Sequence, residues 1–216
     1  MKALVTLFLL VLTSPASAQD IHVVDGDTIE IGETIYRLYR IDAPEAGQHC
    51  NSAQGDSWPC GHEATALMEE LVRGGSATCT ARGEDDYGRT LAVCQAGGRE
   101  LNKTMVERGL AWSFRRYAQE YDTVEDVAHE ARIGVWEAET ESPWDFRAKR
   151  WEVAAVEAPT GCPIKGNISR EGERIYHAPW SPWYTRTRVN EKAGERWFCD
   201  EAAALAAGWR APRWGR

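Results

Sequence analysis

Three short clusters in the sequence contain residue types that suit phosphodiester chemistry. They are Asp25-Gly26-Asp27-Thr28, the segment from Tyr36 to Glu45, and Asp86-Tyr87-Gly88-Arg89. Carboxylate oxygens bind hard divalent cations, a further carboxylate can deprotonate water, and guanidinium groups bind phosphate oxygens. Each cluster alone is also ordinary turn chemistry. Together they predict a metal-assisted site with these members: Asp27 and Asp42 for the metal, Glu45 for water, Arg37 and Arg89 for phosphate.

The elements that must position these side chains are short predicted strands. The strand-forming runs, separated by turn residues, are Ile21–Val24, Thr28–Ile31, Ile35–Ile41, Ala77–Ala81 and Thr90–Cys94. Within the third run, side-chain alternation places Arg37 and Asp42 on opposite faces. The two side chains can converge only if the strand twists or bulges between them.

Three helices are predicted among these strands. Apolar spacing favours a helix over Glu63–Val72, and glycines predict the ends of helices over Leu101–Arg108 and Ala118–Ile133. Several short strands with tight turns favour a small antiparallel barrel. We therefore predict an α+β, mainly β domain over residues 19–146.

The order of the motifs resembles that of a known family. The stretches IHVVDGDTIEIGETIYRLYRIDAPE, DDYGRTLAVC and LNKTMVERGLAW, followed by a helix that ends in GVW, resemble the staphylococcal nuclease (thermonuclease) family. The resemblance implies a five-stranded OB-fold barrel with three helices. It also implies a calcium-dependent endonuclease that hydrolyses DNA and RNA and leaves 3′-phosphate ends.

The resemblance gives each candidate residue a role. Calcium ligands are Asp27, Asp42 and the main-chain carbonyl of Ala43; Glu45 is the general base; Arg37 and Arg89 bind phosphate and stabilise the transition state. Tyr87 and Tyr117 correspond to tyrosines that line the nucleotide pocket. Two positions depart from the family pattern: Ala43 replaces a threonine, and Arg115 stands where the best-known member has a tyrosine.

An alternative interpretation is a catalytically idle OB-fold module that binds nucleic acid or an envelope polymer. An idle relative is expected to have lost at least one of the five functional side chains. All five are present in this sequence. This observation favours the enzyme.

The first residues predict export. Residues 1–18 combine Lys2, an apolar run and the small residues Ala16-Ser17-Ala18, the layout of a signal peptide cleaved after Ala18. In the 216-residue chain, with net charge −8, no other apolar run approaches the length needed to span a bilayer. We expect a periplasmic or secreted monomer without stable membrane insertion after cleavage.

The six cysteines fit an oxidising compartment. Sequence proximity favours three local disulfides: Cys50–Cys60, Cys79–Cys94 and Cys162–Cys199. A zinc site is the alternative for the first pair, because His49 and His62 lie beside these cysteines.

The C-terminal part differs from the rest in charge and composition. Residues 19–146 carry 11 Lys and Arg against 25 Asp and Glu, whereas residues 147–216 carry 13 against 8. We expect a helical linker over residues 147–160 and a small Trp-rich, disulfide-held module over residues 161–216. Its aromatic residues either stack on bases beside Arg186 and Arg188 or form the core of the module, and the second reading is favoured. They are Trp180, Trp183, Tyr184 and Trp197. His177 is interpreted as structural.

Overall fold

The fold was analysed in a computed structural model, which describes residues 19–115 and 119–213. The predicted signal peptide lies outside these ranges. The N-terminal region contains ten strands: β1 Ile21–Asp25, β2 Thr28–Ile31, β3 Thr34–Leu38, β4 Ile41–Asp42, β5 Cys50–Asn51, β6 Ser57–Trp58, β7 Ala77–Glu84, β8 Thr90–Ala96, β9 Arg99–Glu100 and β10 Trp112–Ser113.

Six of these strands form the main sheet: five lie in the order β1-β2-β3-β8-β7, and β9 also pairs with β8. All neighbouring pairs are antiparallel except β3 and β8, which run parallel. The expected closed barrel is not confirmed, because no hydrogen-bonded pair joins β1 to β7 among the described strands. Short β4 pairs instead with β10 in a separate two-stranded sheet.

The predicted strand Ile35–Ile41 is divided in two. β3 ends at Leu38, a turn follows at Tyr39 and Arg40, and β4 begins at Ile41. Arg40 has a φ of 67°, in the left-handed region that non-glycine residues seldom occupy. The turn interrupts side-chain alternation, so residues before and after it need not obey the two-residue period.

Helices cover this sheet and supply much of the core. They are α1 Cys60–Val72, α2 Leu101–Glu107 and α3 Asp122–Glu130. α3 lies within the predicted Ala118–Ile133, part of which falls outside the described ranges. The largest side chains in the core are completely buried and come from both sheet and helices: Ile29, Leu38, Met68, Leu101 and Met105.

The C-terminal region begins with a longer helix than the expected linker. α4 spans Pro143–Glu157, with Ser142 as N-cap and Pro143 in the first turn. Three further strands follow, β11 Ile164–Ile168, β12 Arg174–His177 and β13 Arg196–Phe198, in the order β12-β11-β13, and then α5 Glu201–Ala206. The described residues therefore form five α-helices in all, where three were predicted with the barrel and a fourth as the linker.

The C-terminal module, residues 161–213 of the described chain, has its own small core. Ile164, Tyr176, Phe198 and Trp209 are buried together, and the rings of Phe198 and Trp209 meet edge-on. A disulfide joins Cys162 to Cys199 across this core. Such a crosslink stabilises a module too small to bury much apolar surface.

The other cysteines also pair with their sequence neighbours. Cys50 is bonded to Cys60, and Cys79 to Cys94 across the β7–β8 pair. The zinc alternative is wrong, because Cys50 and Cys60 are bonded to each other and have no thiolate with which to bind zinc. Within the described chain, no helix has the length and apolarity required to span a membrane.

Candidate active site

A cleft of about 510 Å³ lies between the N-terminal sheet and the C-terminal module. Its N-terminal wall is defined by residues of the sheet and its loops: Asp25, Arg37, Glu45, Tyr87 and Arg89. Its C-terminal wall is defined by residues of α4 and the module: Arg147, Trp151, Tyr176, Trp180 and Trp183.

Asp27 is held in the tight turn between β1 and β2. Asp25 pairs with Thr28 across the turn, which leaves Gly26 and Asp27 as its two central residues. A Cβ on Gly26 would lie 2.8 Å from Cβ of Ala64 in α1, so only glycine lets the turn pack this closely. The carboxylate of Asp27 is buried and accepts from the main-chain N–H of Ala43 at 2.9 Å.

Arg37 joins the two predicted metal-binding carboxylates. It lies on β3, and its Nη1 donates to Oδ1 of Asp27 at 2.6 Å while its Nη2 donates to Oδ1 of Asp42 at 2.8 Å. The turn at Arg40 resolves the conflict that strict alternation predicts, because Asp42 belongs to a different strand from Arg37. The sequence indicated the need for such an irregularity but not its position.

Glu45 lies in the loop that follows β4 and is buried. The loop is fixed by Gln48, whose N–H donates to the Glu45 carbonyl at 2.7 Å and whose Oε1 accepts from the Glu45 N–H at 3.2 Å. Gly61 of α1 packs directly against this carbonyl, since a Cβ there would lie 1.7 Å from the oxygen. The helix start therefore sets the position of the Glu45 backbone.

Arg147, the fifth residue of α4, is the functional candidate that the sequence did not reveal. Its Nη1 donates to Oε1 of Glu45 at 2.7 Å and its Nη2 donates to Oδ2 of Asp42 at 2.7 Å. The contact with Asp42 spans 105 positions. The one available signal was weak: Arg147 opens the basic part of the chain.

The β7–β8 hairpin brings Arg89 and Tyr87 to the same cleft. Arg89 is held by Asp85, whose Oδ2 accepts from its Nε at 2.7 Å, and its guanidinium lies 5.1 Å from the ring centre of Tyr87. Tyr117 lies outside the described residues. Arg115 pairs with Glu125 and Asp126, away from the cleft.

Burial and the charge of a neighbouring acid raise the proton affinity of Asp27 and Glu45. Burial raises the pKa of Asp27. It raises the pKa of Glu45 to about 8, with Arg147 acting in the opposite direction and Asp25 adding to the increase. Although burial opposes it, the charge of Asp27 and Asp42 raises the pKa of Arg37, which stays protonated.

The excess of acidic over basic side chains at this site would suit a hard divalent cation, which would compete with Arg37 and Arg147 for the oxygens of Asp27 and Asp42. When all the acids are ionised, the site holds two more negative charges than positive ones, from Asp25, Asp27, Asp42 and Glu45 against Arg37 and Arg147. No three His, Cys, Asp or Glu side chains form a metal-holding group in the ranges described. The expected calcium set is smaller, with two carboxylates and a carbonyl, and calcium takes such oxygen donors together with water.

The aromatic residues of the module divide between two places. Trp180 and Trp183 line the cleft, whereas Tyr184 and Trp197 line a second cavity of about 320 Å³. The buried module core uses other rings, such as Phe198 and Trp209. The favoured reading of Trp180 and Trp183 as core residues therefore does not match their position.

Comparison with known proteins identifies the N-terminal region. Residues 35–138 match the family described as staphylococcal nuclease homologue. A micrococcal nuclease of Shigella flexneri is 31% identical over 169 residues, which cover 68% of this chain and 91% of the relative. The chain belongs to the staphylococcal nuclease family. It is a nuclease, a hydrolase of nucleic-acid phosphodiester bonds.

Other relatives carry different names. The succinoglycan biosynthesis protein ExoI of Rhizobium meliloti (strain 1021) is 31% identical over 131 residues, covering 59% of this chain and 69% of the relative. An uncharacterized endonuclease of Haemophilus influenzae is 30% identical over 149 residues, covering 62% and 78%. Residues 152–211 match a second family, named ArfC. The nuclease match ends before Arg147, so the residue that contacts two site carboxylates lies beyond it.

Proposed function

We propose that this nuclease is an exported, calcium-dependent endonuclease that hydrolyses DNA and RNA and leaves 3′-phosphate ends. The observation that carries the proposal is the convergence of four side chains from separate elements: Arg37 and Glu45 line the cleft, and Asp27 and Asp42 lie buried against Arg37. Export is supported by the signal-like residues 1–18 and by three disulfides. The enzyme is expected in the periplasm or the medium as a monomer.

Asp27, Asp42 and the Ala43 carbonyl would hold the calcium ion. When bound, calcium supplies Lewis-acid polarisation of the phosphate. Arg37 and Arg89 bind the non-bridging phosphate oxygens and stabilise the charge that builds on them in the transition state. Arg37 already lies against both metal-binding carboxylates, so it is placed to contact a phosphate beside them.

Glu45 takes the proton of the attacking water. A general base works best with a pKa near the working pH, and burial brings the pKa of Glu45 to about 8. Water attacks phosphorus as Glu45 accepts its proton, the bond to the 5′ oxygen breaks, and that oxygen takes a proton from solvent water as it leaves. The phosphate then remains on the 3′ side.

Cleavage assays on DNA and RNA, with calcium or with chelator, test this proposal. We expect Glu45→Gln to lower kcat by about 10²- to 10⁴-fold. Glu63→Gln, an exposed acid on α1, is the matched control and should cleave normally. Cleavage that survives chelation, or equal rates for both variants, would contradict the mechanism.

Product ends and location are tested separately. A 3′-phosphate blocks polymerase extension until a phosphatase removes it, so products should prime only after phosphatase treatment. Expression with residues 1–18 intact should place the activity outside the cytoplasm, and deletion of residues 2–18 should retain it inside. Directly extendable products would contradict the predicted ends.

A further inference from the structure

The two walls of the cleft differ in chemistry. The N-terminal wall presents acids and the two phosphate-binding arginines, Arg37 and Arg89. The C-terminal wall presents large aromatic rings, and those of Trp151 and Trp180 lie 6.2 Å apart at an angle of 34°. A nucleotide has the same division, with an anionic phosphate at one end and a flat base at the other.

The C-terminal wall is attached to the sheet at several points close to the site. Arg213 donates from Nε to Oε2 of Glu30 on β2 at 2.6 Å. Val24 of β1 packs against the core of the module. A Cβ on Gly47, two residues after Glu45, would lie 2.9 Å from the carbonyl oxygen of Trp180. The aromatic wall is therefore held at a fixed distance from the catalytic residues.

We propose that the C-terminal module forms the base-binding wall of the active site and makes the enzyme specific for unpaired nucleotides. The inference rests on the proposed nuclease mechanism and adds the substrate class. Arg37 and Arg89 hold the phosphate, and the base of the same unpaired nucleotide stacks on Trp180 beside Trp151. Trp180 is thus a specificity-determining residue supplied from outside the nuclease match.

The size and shape of the cleft favour a single strand. Its volume of about 510 Å³ is that of a small-molecule site, and it has walls on both sides. A nucleotide in a duplex is paired and stacked, and it must leave the stack before it can enter such a space. An unpaired nucleotide pays no such cost and gains stacking on the tryptophan.

Binding can be measured apart from cleavage. The full-length Glu45→Gln protein in calcium is titrated into a fluorescein-labelled oligothymidylate, and fluorescence anisotropy reports binding. Unlabelled oligothymidylate and relaxed, covalently closed circular duplex DNA then compete at equal nucleotide concentration. We expect the duplex to compete at least about tenfold more weakly. Equal competition would overturn the proposal.

Substitutions on the aromatic wall locate the contact. In the same background, Trp180→Ala should weaken binding of the single strand by about 5- to 150-fold and leave duplex binding unchanged. Trp180→Phe retains a ring and should recover most of the affinity. Trp197→Ala, in the same module but on the second cavity, is the matched control and should bind normally. Normal binding by a folded Trp180→Ala protein, or equal losses in both tryptophan variants, would overturn the proposal.

Failure of this inference can be distinguished from failure of the proposed function. If wild-type protein cleaves closed duplex and single strand at equal rates in calcium, the base wall is excluded and the nuclease mechanism stands. If the protein binds the single strand through Trp180 without calcium-dependent cleavage, the base wall stands and the mechanism fails.

Discussion

The two walls of the active-site cleft were built in different ways. The N-terminal wall consists of strand and loop residues, most of which follow one another closely along the chain, from Asp25 to Glu45, with Arg89 farther on. The C-terminal wall consists of residues of α4 and the module that meet the first wall only because the C-terminal region packs there, through contacts such as Arg213 to Glu30. The residues of the N-terminal wall are therefore set mainly by local sequence, whereas the position of the C-terminal wall depends on tertiary packing.

Gly61 offers the sharpest test of how firmly the N-terminal wall is positioned. In an exposed helix, alanine is about 1 kcal/mol more favourable than glycine. Here the added Cβ would lie 1.7 Å from the Glu45 carbonyl oxygen. We expect Gly61→Ala to reduce the free energy of unfolding by about 3 kcal/mol, the upper part of the range for overpacking, and to lower kcat by displacing Glu45.

Urea denaturation and single-turnover cleavage measure the two effects. Gly74→Ala is the control, because a Cβ there has no neighbour within 4 Å. Normal stability and rate in Gly61→Ala would show that α1 does not set the position of the glutamate.

Arg147 tests whether the two walls depend on each other. Its side chain is one-quarter exposed and contacts two nearly buried carboxylates. Removing one partner of a buried ion pair costs about 3–5 kcal/mol, and partial solvent access reduces this, so we expect Arg147→Gln to lose roughly 3 kcal/mol.

Calcium should restore part of the stability lost in Arg147→Gln, because a bound cation offsets the same negative charge. Thermal unfolding with calcium and with chelator measures this effect. Lys149→Gln on the same helix is the control, because the Lys149 side chain is exposed in its ion pair with Glu141. A calcium effect no larger in Arg147→Gln than in wild type would place the metal elsewhere.

The sequence predicted the N-terminal wall better than the C-terminal one for a physical reason. Strand β2 alternates polar and apolar residues, and the Asp-Gly turn that joins it to β1 is a strong hairpin signal. The position of the break at Tyr39 and Arg40 escaped prediction because the run contains no glycine, proline or other typical turn residue there. It is the feature that lets Asp42 meet Arg37.

Long-range placement lay beyond sequence reasoning. The spacing of Trp180 and Trp183 was compatible with either a core or a surface role, and only the docked position of the module assigns them to the cleft. Arg147 had no local pattern that paired it with Asp42, because the contact is separated by 105 positions. Such contacts depend on the packing of two regions rather than on the period of either.

The smallest predicted effect is a pH dependence of the free energy of unfolding that comes from a histidine of the module and not from the sheet. Burial, together with the nearby charges of Lys165, Arg186 and Arg210, lowers the pKa of His177 to about 4. The folded state therefore binds a proton less readily than the unfolded state, in which the pKa is about 6.5. The stability contributed by neutral His177 is present above pH 6.5 and is lost as the pH falls toward 4.

Between pH 7 and pH 5 this loss amounts to about 2 kcal/mol, from the difference between the two pKa values. Urea denaturation at both pH values measures it. His177→Gln keeps a polar group beside Oδ1 of Asn167, which lies 2.9 Å from Nε2 of the histidine, and should remove most of this dependence. His62→Gln, on half-exposed α1 surface, should retain it. Equal pH dependence in both variants would show that His177 is not its source. Asp27 and Glu45 of the N-terminal region could not supply it either, because burial raises their pKa and their protonation at lower pH favours the folded state.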